Sequence, residues 1–262
     1  MSEPDALNQV PDTAFITSRL AWPSSQVDIV LDTDTYNEID DQFALSYALL
    51  SSPRLNLEAV YAAPFENHIS RSPEDGMNKS YAEILRIFDV MGLAGSRLVL
   101  RGSEQWLNRL DHPVKSEACD DLIDRARHRA NDSPLYVVSI GAPTNVASAL
   151  LAAPDIRKKI VVLWLGGHPL YWHDAREFNL LQNLVASRVL FDSGVPLILF
   201  PCKLVAEMVR TTISELETHL RGTSRIGDYL TDIFVEHLKD SPTQAGLSKE
   251  IWDLAPLSWL MN

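Results

Sequence analysis

The chain has 262 residues, of which 46% are hydrophobic, and a chain of this length and composition can bury one sizeable α/β core. Acidic residues outnumber basic ones by 35 to 23, and the net charge of −12 argues against nucleic acid and anionic membranes as partners. A small neutral or cationic ligand, or a bound metal ion, suits this charge better.

The N-terminal segment and the cysteines indicate a cytoplasmic protein. The first residues contain no basic start followed by an apolar core, so we expect no secretion signal. No later apolar run approaches the roughly 18 residues of a membrane span. Cys119 and Cys202 lie far apart in the sequence and are expected to be reduced, structural thiols.

In chain order, an irregular arm precedes a regular alternation of short and long segments. Residues 1–24 contain Pro4, Pro11 and Pro23 and predict the irregular N-terminal arm, whereas residues 25–262 predict a single α/β domain. Short runs rich in Val, Ile and Leu predict strands at residues 27–31, 57–62, 97–100, 136–140, 160–165 and 196–200. Helical spacing of apolar residues predicts helices within residues 42–50, 81–91, 147–152, 181–189 and 226–238, and Thr212 with Glu215 predicts a capping box for a helix through Leu220.

These strand candidates are apolar on both faces, which is typical of a parallel sheet covered by helices on both sides. The predicted fold class is therefore α/β, with a doubly wound, mostly parallel, Rossmann-like sheet. In such a sheet, ligands bind beyond the carboxyl ends of the strands. Polar residues and glycines follow four of the predicted strands, at residues 32–34, 64–67, 141–145 and 166–168. A functional site is expected at that edge.

An acidic turn joins the first predicted strand to the first predicted helix. It contains Asp32, Asp34, Glu38, Asp40 and Asp41. Two carboxylates about 6 Å apart repel by roughly 3 kcal/mol at an effective dielectric near 20, so the group needs a cation, shared protons or full solvation. Carboxylate oxygens favour Ca²⁺ or Mg²⁺ over softer metals. The alternative is a solvated turn whose carboxylates stabilise the helix N-terminus.

A second enzyme class also fits the acidic turn. The residues DTDT after an apolar strand resemble the start of a haloacid-dehalogenase-type phosphatase, in which the first Asp is a nucleophile beside Mg²⁺. That class needs a later Lys and an acidic pair after another strand. Neither GAPTN nor LGGHP supplies them.

Taken with three later motifs, the turn resembles the nucleoside hydrolase family, the inosine-uridine-preferring N-ribohydrolases. The resemblance is carried by the Asp-rich turn, by the motif GAPTNVA from Gly141, by Glu177-Phe178-Asn179 after a double glycine, and by Asp253 before a short helix. Each motif alone is weak, but four in the same order are fairly specific.

The resemblance implies a function and a set of roles. The activity would be Ca²⁺-dependent hydrolysis of the N-glycosidic bond of a ribonucleoside or related riboside, giving base and ribose, by a homodimer or homotetramer on the nucleoside hydrolase fold. The implied Ca²⁺ ligands are Asp34, Asp41, the main-chain carbonyl of Thr144, and Asp253. Asp34 would also take a proton from the attacking water. The implied ribose-binding residues are Asp40, Asn67, Glu177 and Asn179.

The chain departs from the family pattern at three places. Residues 35–39 make the acidic turn two residues longer than usual, and Tyr171 replaces an Asn that helps to hold the sugar. Trp252 stands where many members have a His that protonates the leaving base, and its ring could instead stack on a nucleobase. His68, His168 and His173 are weak candidates for that acid. An alternative function is therefore a ribose- or nucleoside-binding homologue with weak or no turnover.

Overall fold

The computed structural model describes residues 12–95, 98–239 and 247–262. Within these residues, six strands form one parallel sheet and two short strands form a separate antiparallel pair. The strands of the sheet are β1 (Val27–Thr33), β2 (Leu55–Ala62), β3 (Val99–Arg101), β4 (Leu135–Ser139), β5 (Ile160–Leu165) and β6 (Leu197–Phe200). The antiparallel pair consists of β7 (Arg210–Thr212) and β8 (Ser248–Glu250).

Helices occupy most of the chain between the strands. In chain order they are α1 (Thr13–Arg19), α2 (Asp40–Leu50), α3 (Pro73–Val90), α4 (Glu117–Arg127), α5 (Thr144–Ala152), α6 (Phe178–Gln182), α7 (Leu184–Asp192), α8 (Ile213–His219), α9 (Arg225–Lys239) and α10 (Leu254–Leu260). Two 3₁₀ turns, Pro154–Lys158 and Ala206–Met208, complete the set among the described residues. No helix of the described chain is long and apolar enough to cross a membrane.

The sheet has the strand order β3-β2-β1-β4-β5-β6, and every neighbouring pair is parallel. Alternate residues of β1 enter different cores: Ile29 and Leu31 pack with α2, α3, α9 and α10, whereas Val30 packs with α4, α5 and α7. The predicted doubly wound sheet with helices on both faces is therefore confirmed. The strand order reverses between β1 and β4, and this switch point is where ligands bind in such folds.

Most predicted elements are present, with somewhat different ends. The capping box of Thr212 and Glu215 begins α8 as expected, since the Thr212 side chain accepts from the Glu215 N–H and the Glu215 carboxylate accepts from the Thr212 N–H. The single helix expected within residues 181–189 is instead two helices, because Asn183 ends α6 and caps α7. Arg97, the first residue of the third predicted strand, lies outside the described residues.

The prediction of an irregular N-terminal arm is wrong in part. Residues 13–19 form α1 rather than irregular chain, because the Asp12 carboxylate accepts from the Ala14 N–H at 3.3 Å and caps the first turn. Residues 1–11 of the predicted arm lie outside the described residues, and the domain boundary at residue 25 stays a prediction. Helix α4 and the strand pair β7–β8 were not predicted from the sequence.

Candidate active site

A cavity of about 1050 Å³ opens at the carboxyl ends of β1, β4 and β5, next to the switch point of the sheet. Acidic and amide side chains from the strand ends form its floor, and side chains of α3 and α9 form its outer wall. All but one of the residues that the sequence assigned to the site line it: Asp34, Asp40, Asp41, Asn67, Glu177, Asn179, Trp252 and Asp253. Thr144 does not.

Asp32 lies beneath the cavity and has a structural role. Its carboxylate is fully buried in β1 and accepts hydrogen bonds from Ser139 Oγ at 3.0 Å and from Asn145 Nδ2 at 2.8 Å. Burial raises its pKa to about 6, although these two hydrogen bonds oppose the rise. Asn145 also accepts from the main-chain N–H of Ser103 at 2.7 Å, so Asp32 joins β1 to β4 and to the loop after β3.

Three carboxylates meet at the rim above Asp32. Asp40 and Asp41 are the first two residues of α2, and Asp253 directly precedes α10. Each can offer one oxygen such that the three atoms lie within 4.8 Å of one another, and all three side chains are buried. Thr33 Oγ1 donates to Asp41 and fixes one of its oxygens. Helix N-termini favour negative charge, but two of them do not neutralise three carboxylates.

This excess of negative charge contributes to raised pKa values of the three carboxyl groups. Burial, and then the neighbouring Asp40, raise the pKa of Asp41 to about 8. Burial raises the pKa of Asp40 to about 6, with Lys249 opposing and Glu38 adding to the rise. The pKa of Asp253 is raised well above its usual value by burial and by the nearby aspartates. A bound cation would offset the same repulsion that otherwise retains protons on these groups.

Asp34 completes the acidic group from the end of β1. Its side chain is 1% exposed, and its Oδ2 is buried without a hydrogen-bond partner among the described residues. Burial, and then Asp41 and Asp40, raise its pKa well above the usual value. The structure places Asp34 beside the close triplet of Asp40, Asp41 and Asp253 rather than within it. An unpartnered buried carboxylate oxygen needs a proton, a water or a cation.

The donor set fits a hard divalent cation. The converging atoms are carboxylate oxygens, and no histidine or cysteine belongs to the close triplet found among the described residues. Oxygen-only sites select Ca²⁺, Mg²⁺ or Mn²⁺ over the metals that prefer sulfur and imidazole. The residues present are therefore suitable for the kind of ion that the sequence predicted.

The main-chain carbonyl predicted as a ligand lies elsewhere. Thr144 is the first residue of α5, so its carbonyl follows the helix axis, and its side chain accepts from Asn183 at 3.2 Å. Ile140, which follows β4, lines the cavity instead. The turn 141–143 separates the strand end from the helix and accounts for the difference.

Glu177 and Asn179 are held rigidly at the end of β5. The Glu177 carboxylate accepts from the N–H groups of Gly167 at 2.7 Å, Leu180 at 2.9 Å and Asn179 at 3.0 Å. Asn179 Nδ2 donates to the carbonyls of Ile140 and Leu165, both at 3.0 Å. Both side chains are buried at the cavity floor, so their positions are set by the fold before a ligand arrives.

Four histidines bear on the choice of an acid for the leaving group. His68, His168 and His237 line the cavity, and His237 from α9 was not considered from the sequence. Nδ1 of His168 is buried without a hydrogen-bond partner among the described residues. His173 does not line the cavity and instead contacts Asp174 at 3.3 Å near the surface.

Trp252 lies at the cavity wall, where the ammonium group of Lys203 sits 5.7 Å from its ring centroid. Sequence reasoning also missed Lys249, which is 3% exposed and pairs with Glu38 at 2.7 Å. A lysine four residues before Asp253 was visible in the sequence, but nothing local indicated that it is buried.

Known proteins resemble this chain in sequence and in fold. Residues 29–255 match the family model described as inosine-uridine preferring nucleoside hydrolase. A pyrimidine-specific ribonucleoside hydrolase from Enterobacter sp. (strain 638) is 28% identical over 194 residues, which cover 65% of this chain and 58% of that protein. The chain thus spans little more than half the length of this relative.

Two further matches cover more of the chain. A pyrimidine-specific ribonucleoside hydrolase from Salmonella paratyphi A is 24% identical over 259 residues, covering 89% of this chain and 79% of that protein. The solved structure of a plant nucleoside hydrolase, PpNRh1, has a TM-score of 0.67 at 20% identity and covers 89% of this chain and 78% of its own. At that identity the structural match shows a shared fold.

Proposed function

Because the chain belongs to the inosine-uridine preferring nucleoside hydrolase family, a family of hydrolases acting on N-glycosyl bonds, we propose that it cleaves the N-glycosidic bond of a ribonucleoside with the help of Ca²⁺. The observation that carries the proposal is the group of buried carboxylates at the switch point of the sheet, with the unpartnered Oδ2 of Asp34 beside it.

The proposed cation ligands are Asp34, Asp41 and Asp253. A main-chain carbonyl at the end of β4 is a further candidate, and Ile140 replaces Thr144 in that role because it lines the cavity. When bound, the ion would supply positive charge that offsets the carboxylate repulsion, orients sugar hydroxyls and makes a neighbouring water more acidic.

The proposed reaction combines attack by water on the ribose with departure of the base. The water oxygen forms a bond to C1′ of the ribose, the bond from C1′ to the base nitrogen breaks, and Asp34 Oδ2 accepts a proton from the water. Cleavage builds positive charge on the ribose, as in other glycoside hydrolyses. Buried carboxylates close to C1′ stabilise that charge without reorganising. The departing base takes its proton from solvent or from a cavity histidine.

The proposed sugar-binding residues are Asp40, Asn67, Glu177 and Asn179. Their carboxylate and amide groups suit the hydroxyls of a ribose, and a grip from several directions fixes C1′ relative to Asp34. Trp252 is proposed to stack on the base, since an aromatic face accepts purines and pyrimidines alike.

Release of base and ribose from a panel of ribonucleosides tests the proposal. We expect the purified protein with Ca²⁺ to cleave at least one of them, and Asp34→Asn to abolish cleavage while the circular dichroism spectrum stays unchanged. Chelation should remove activity, and Ca²⁺ should restore it. If no riboside is cleaved at any Ca²⁺ concentration, the proposed activity is wrong.

A binding protein of the same fold is the second candidate function, and Trp252 at the cavity wall favours it. An indole cannot protonate a leaving base, which weakens catalysis without weakening binding. Calorimetry that detects Ca²⁺-dependent ribose binding without turnover would support this candidate. The family match favours both functions over a Mg²⁺-dependent phosphatase.

The assembly and location are also proposals. We expect a homodimer or homotetramer, which light scattering after size-exclusion chromatography would identify. The free thiols of Cys119 and Cys202 support a cytoplasmic location, which cell fractionation would test.

A further inference from the structure

The insert, residues 35–39, is where the acidic turn is longer than the family pattern. It crosses from the end of β1 to the start of α2 along the cavity, which Tyr36, Asn37, Glu38 and Ile39 line. Tyr36 has a φ of 137°, a backbone conformation that side chains other than glycine rarely adopt. Such backbone strain persists where surrounding contacts hold the chain in place. Here, one contact of Asn37 and one contact of Glu38 hold the insert in place.

The first contact joins the insert to the loop after β2. Asn67 Nδ2 donates to Asn37 Oδ1 at 2.7 Å, and Asn67 Oδ1 accepts from the main-chain N–H of Ile69 at 2.9 Å. The amide plane of Asn67 is therefore fixed by one contact from the insert and one from its own loop. A single rotamer with one amide orientation loses less entropy on binding a hydroxyl than a free side chain does.

The second contact joins the insert to β8. Lys249 Nζ lies 2.7 Å from a Glu38 carboxylate oxygen and donates to the Glu250 carbonyl at 3.1 Å. The lysine side chain is only 4% exposed, whereas that of Glu38 is 47% exposed. The ammonium also interacts electrostatically with Asp40 and Asp253. Lys249 is thus a buried cation that attracts Asp40, the first residue of α2, and Glu38 pairs with it from the solvent side.

We propose that Asn37 and Glu38 are positioning residues that orient Asn67 and Asp40, respectively, for the sugar. The inference rests on the proposed function, because it concerns how a riboside is gripped. Neither residue touches the reacting bond. Asn37 acts through Asn67, and Glu38 acts through Lys249 on Asp40. The insert is thereby joined both to the loop after β2 and to β8.

The kinetic signature of such a role differs from that of a catalytic residue. Loss of ground-state positioning raises KM, whereas loss of the base or of a cation ligand lowers kcat. The Asn37–Asn67 hydrogen bond joins two neutral amides, and the Lys249–Glu38 ion pair is half exposed on the Glu38 side. Each contact therefore contributes modestly, and we expect roughly a tenfold effect on KM from its loss.

Steady-state kinetics on Asn37→Ala and Glu38→Ala, with inosine or uridine as substrate, test the proposal. We expect KM to rise about tenfold in each variant while kcat stays within about twofold. Glu38→Asp, which keeps the charge, should recover part of the loss. Glu250→Gln is a matched control, because it removes an ion pair with Arg210 that joins β7 to β8 outside the cavity. Unchanged KM in both alanine variants overturns the inference.

Hydrogen–deuterium exchange of the metal-free protein separates this inference from the proposed function. We expect the peptide that spans residues 35–39 to exchange faster in both alanine variants, and the control to match the wild-type protein. If the wild-type protein does not turn over a riboside, the proposed activity is wrong. The positioning role is then tested by ribose affinity, measured by calorimetry in the presence of Ca²⁺, in place of KM. Weaker ribose binding by the alanine variants supports the positioning role of Asn37 and Glu38, whereas unchanged exchange or unchanged affinity overturns it.

Discussion

A Cβ atom on Gly141 would lie 3.1 Å from Cγ of Asp34, a separation tighter than ordinary van der Waals contact. Gly141 therefore gives Asp34 the space in which its buried carboxylate sits. This relationship explains why a glycine follows β4 in the GAPTN motif without any appeal to an unusual backbone angle.

Gly141→Ala should displace Asp34 by a few tenths of an ångström and lower activity by about 10- to 100-fold, because misplaced catalytic groups lose orientation. Calcium affinity by calorimetry and kcat/KM should fall together. Gly222→Ala is the control: its φ of 75° makes alanine strained in open space, so stability should fall without effect on calcium affinity. Full calcium affinity in Gly141→Ala would contradict the assignment.

Asp41→Asn should lose the cation and yet stabilise the metal-free protein. The substitution removes one buried charge from the triplet with Asp40 and Asp253, while the amide oxygen can still accept from Thr33. Relief of like-charge repulsion contributes on the order of 1–3 kcal/mol. Thermal unfolding should show a higher Tm without metal and no shift on adding Ca²⁺. Asp155→Asn, on the surface, should behave as the wild-type protein does.

Stability of the metal-free protein should fall as pH rises from about 5 to about 8. Asp32 and Asp40 have folded pKa values of about 6 and Asp41 of about 8, all above the value of an unfolded aspartate, 3.8. Groups with raised folded pKa values stabilise the fold while protonated, and that contribution is lost as pH passes through the folded pKa.

The size of this loss is several kcal/mol in order of magnitude, at about 1.4 kcal/mol for each unit of pKa difference. Urea unfolding of chelated protein at several pH values measures it. Saturating Ca²⁺ should flatten the profile, because a cation replaces the protons. A metal-free profile that rises toward pH 8 would show that the carboxylates are solvated instead.

Glu177→Gln should reduce both stability and activity. Its carboxylate is 6% exposed and accepts three main-chain N–H groups, and an amide would turn a donor toward at least one of them. We expect a loss of about 2–4 kcal/mol in the free energy of unfolding. Glu215→Gln, which disturbs the exposed capping box of α8, should cost about 1 kcal/mol and leave activity intact. Equal losses in the two variants would refute the special position of Glu177.

Trp252→His should restore leaving-group protonation. A general acid contributes about 10²- to 10⁴-fold, but only when the leaving group needs a proton. The ratio of kcat/KM for p-nitrophenyl riboside to that for uridine should therefore be high in the wild-type protein and fall at least about tenfold in the variant. Trp252→Phe should keep the wild-type ratio. If the His and Phe variants share one ratio, another group protonates the base.

Local patterns in the sequence were sufficient to predict the sheet, and most of the residues proposed for the site line one cavity. Apolar runs located all six parallel strands, since a buried parallel strand is apolar on both faces, and the motif order brought Asp34, Asp41 and Asp253 to one cavity. Thr144 does not line the cavity, and a motif alone does not reveal which of its carbonyls faces outward from a turn.

Long-range contacts explain what the sequence could not reveal. Lys249 is buried against Glu38 and close to Asp40 and Asp253, and Glu38 and Asp40 lie far from Lys249 in the sequence. The strands β7 and β8 have three residues each, too few for an alternating pattern. Asn183 ends α6 and caps α7. An asparagine can do so, but its presence alone does not predict a helix boundary.

The six strands of the sheet all lie within residues 27–200, whereas Lys249 and Asp253 belong to the last described segment of the chain. During synthesis on the ribosome, the scaffold can therefore assemble while the acidic turn still lacks its partners from the C-terminal side. The nascent domain would carry a repulsive turn until those residues emerge, and cation capture would then be a late event of maturation rather than a nucleus for folding.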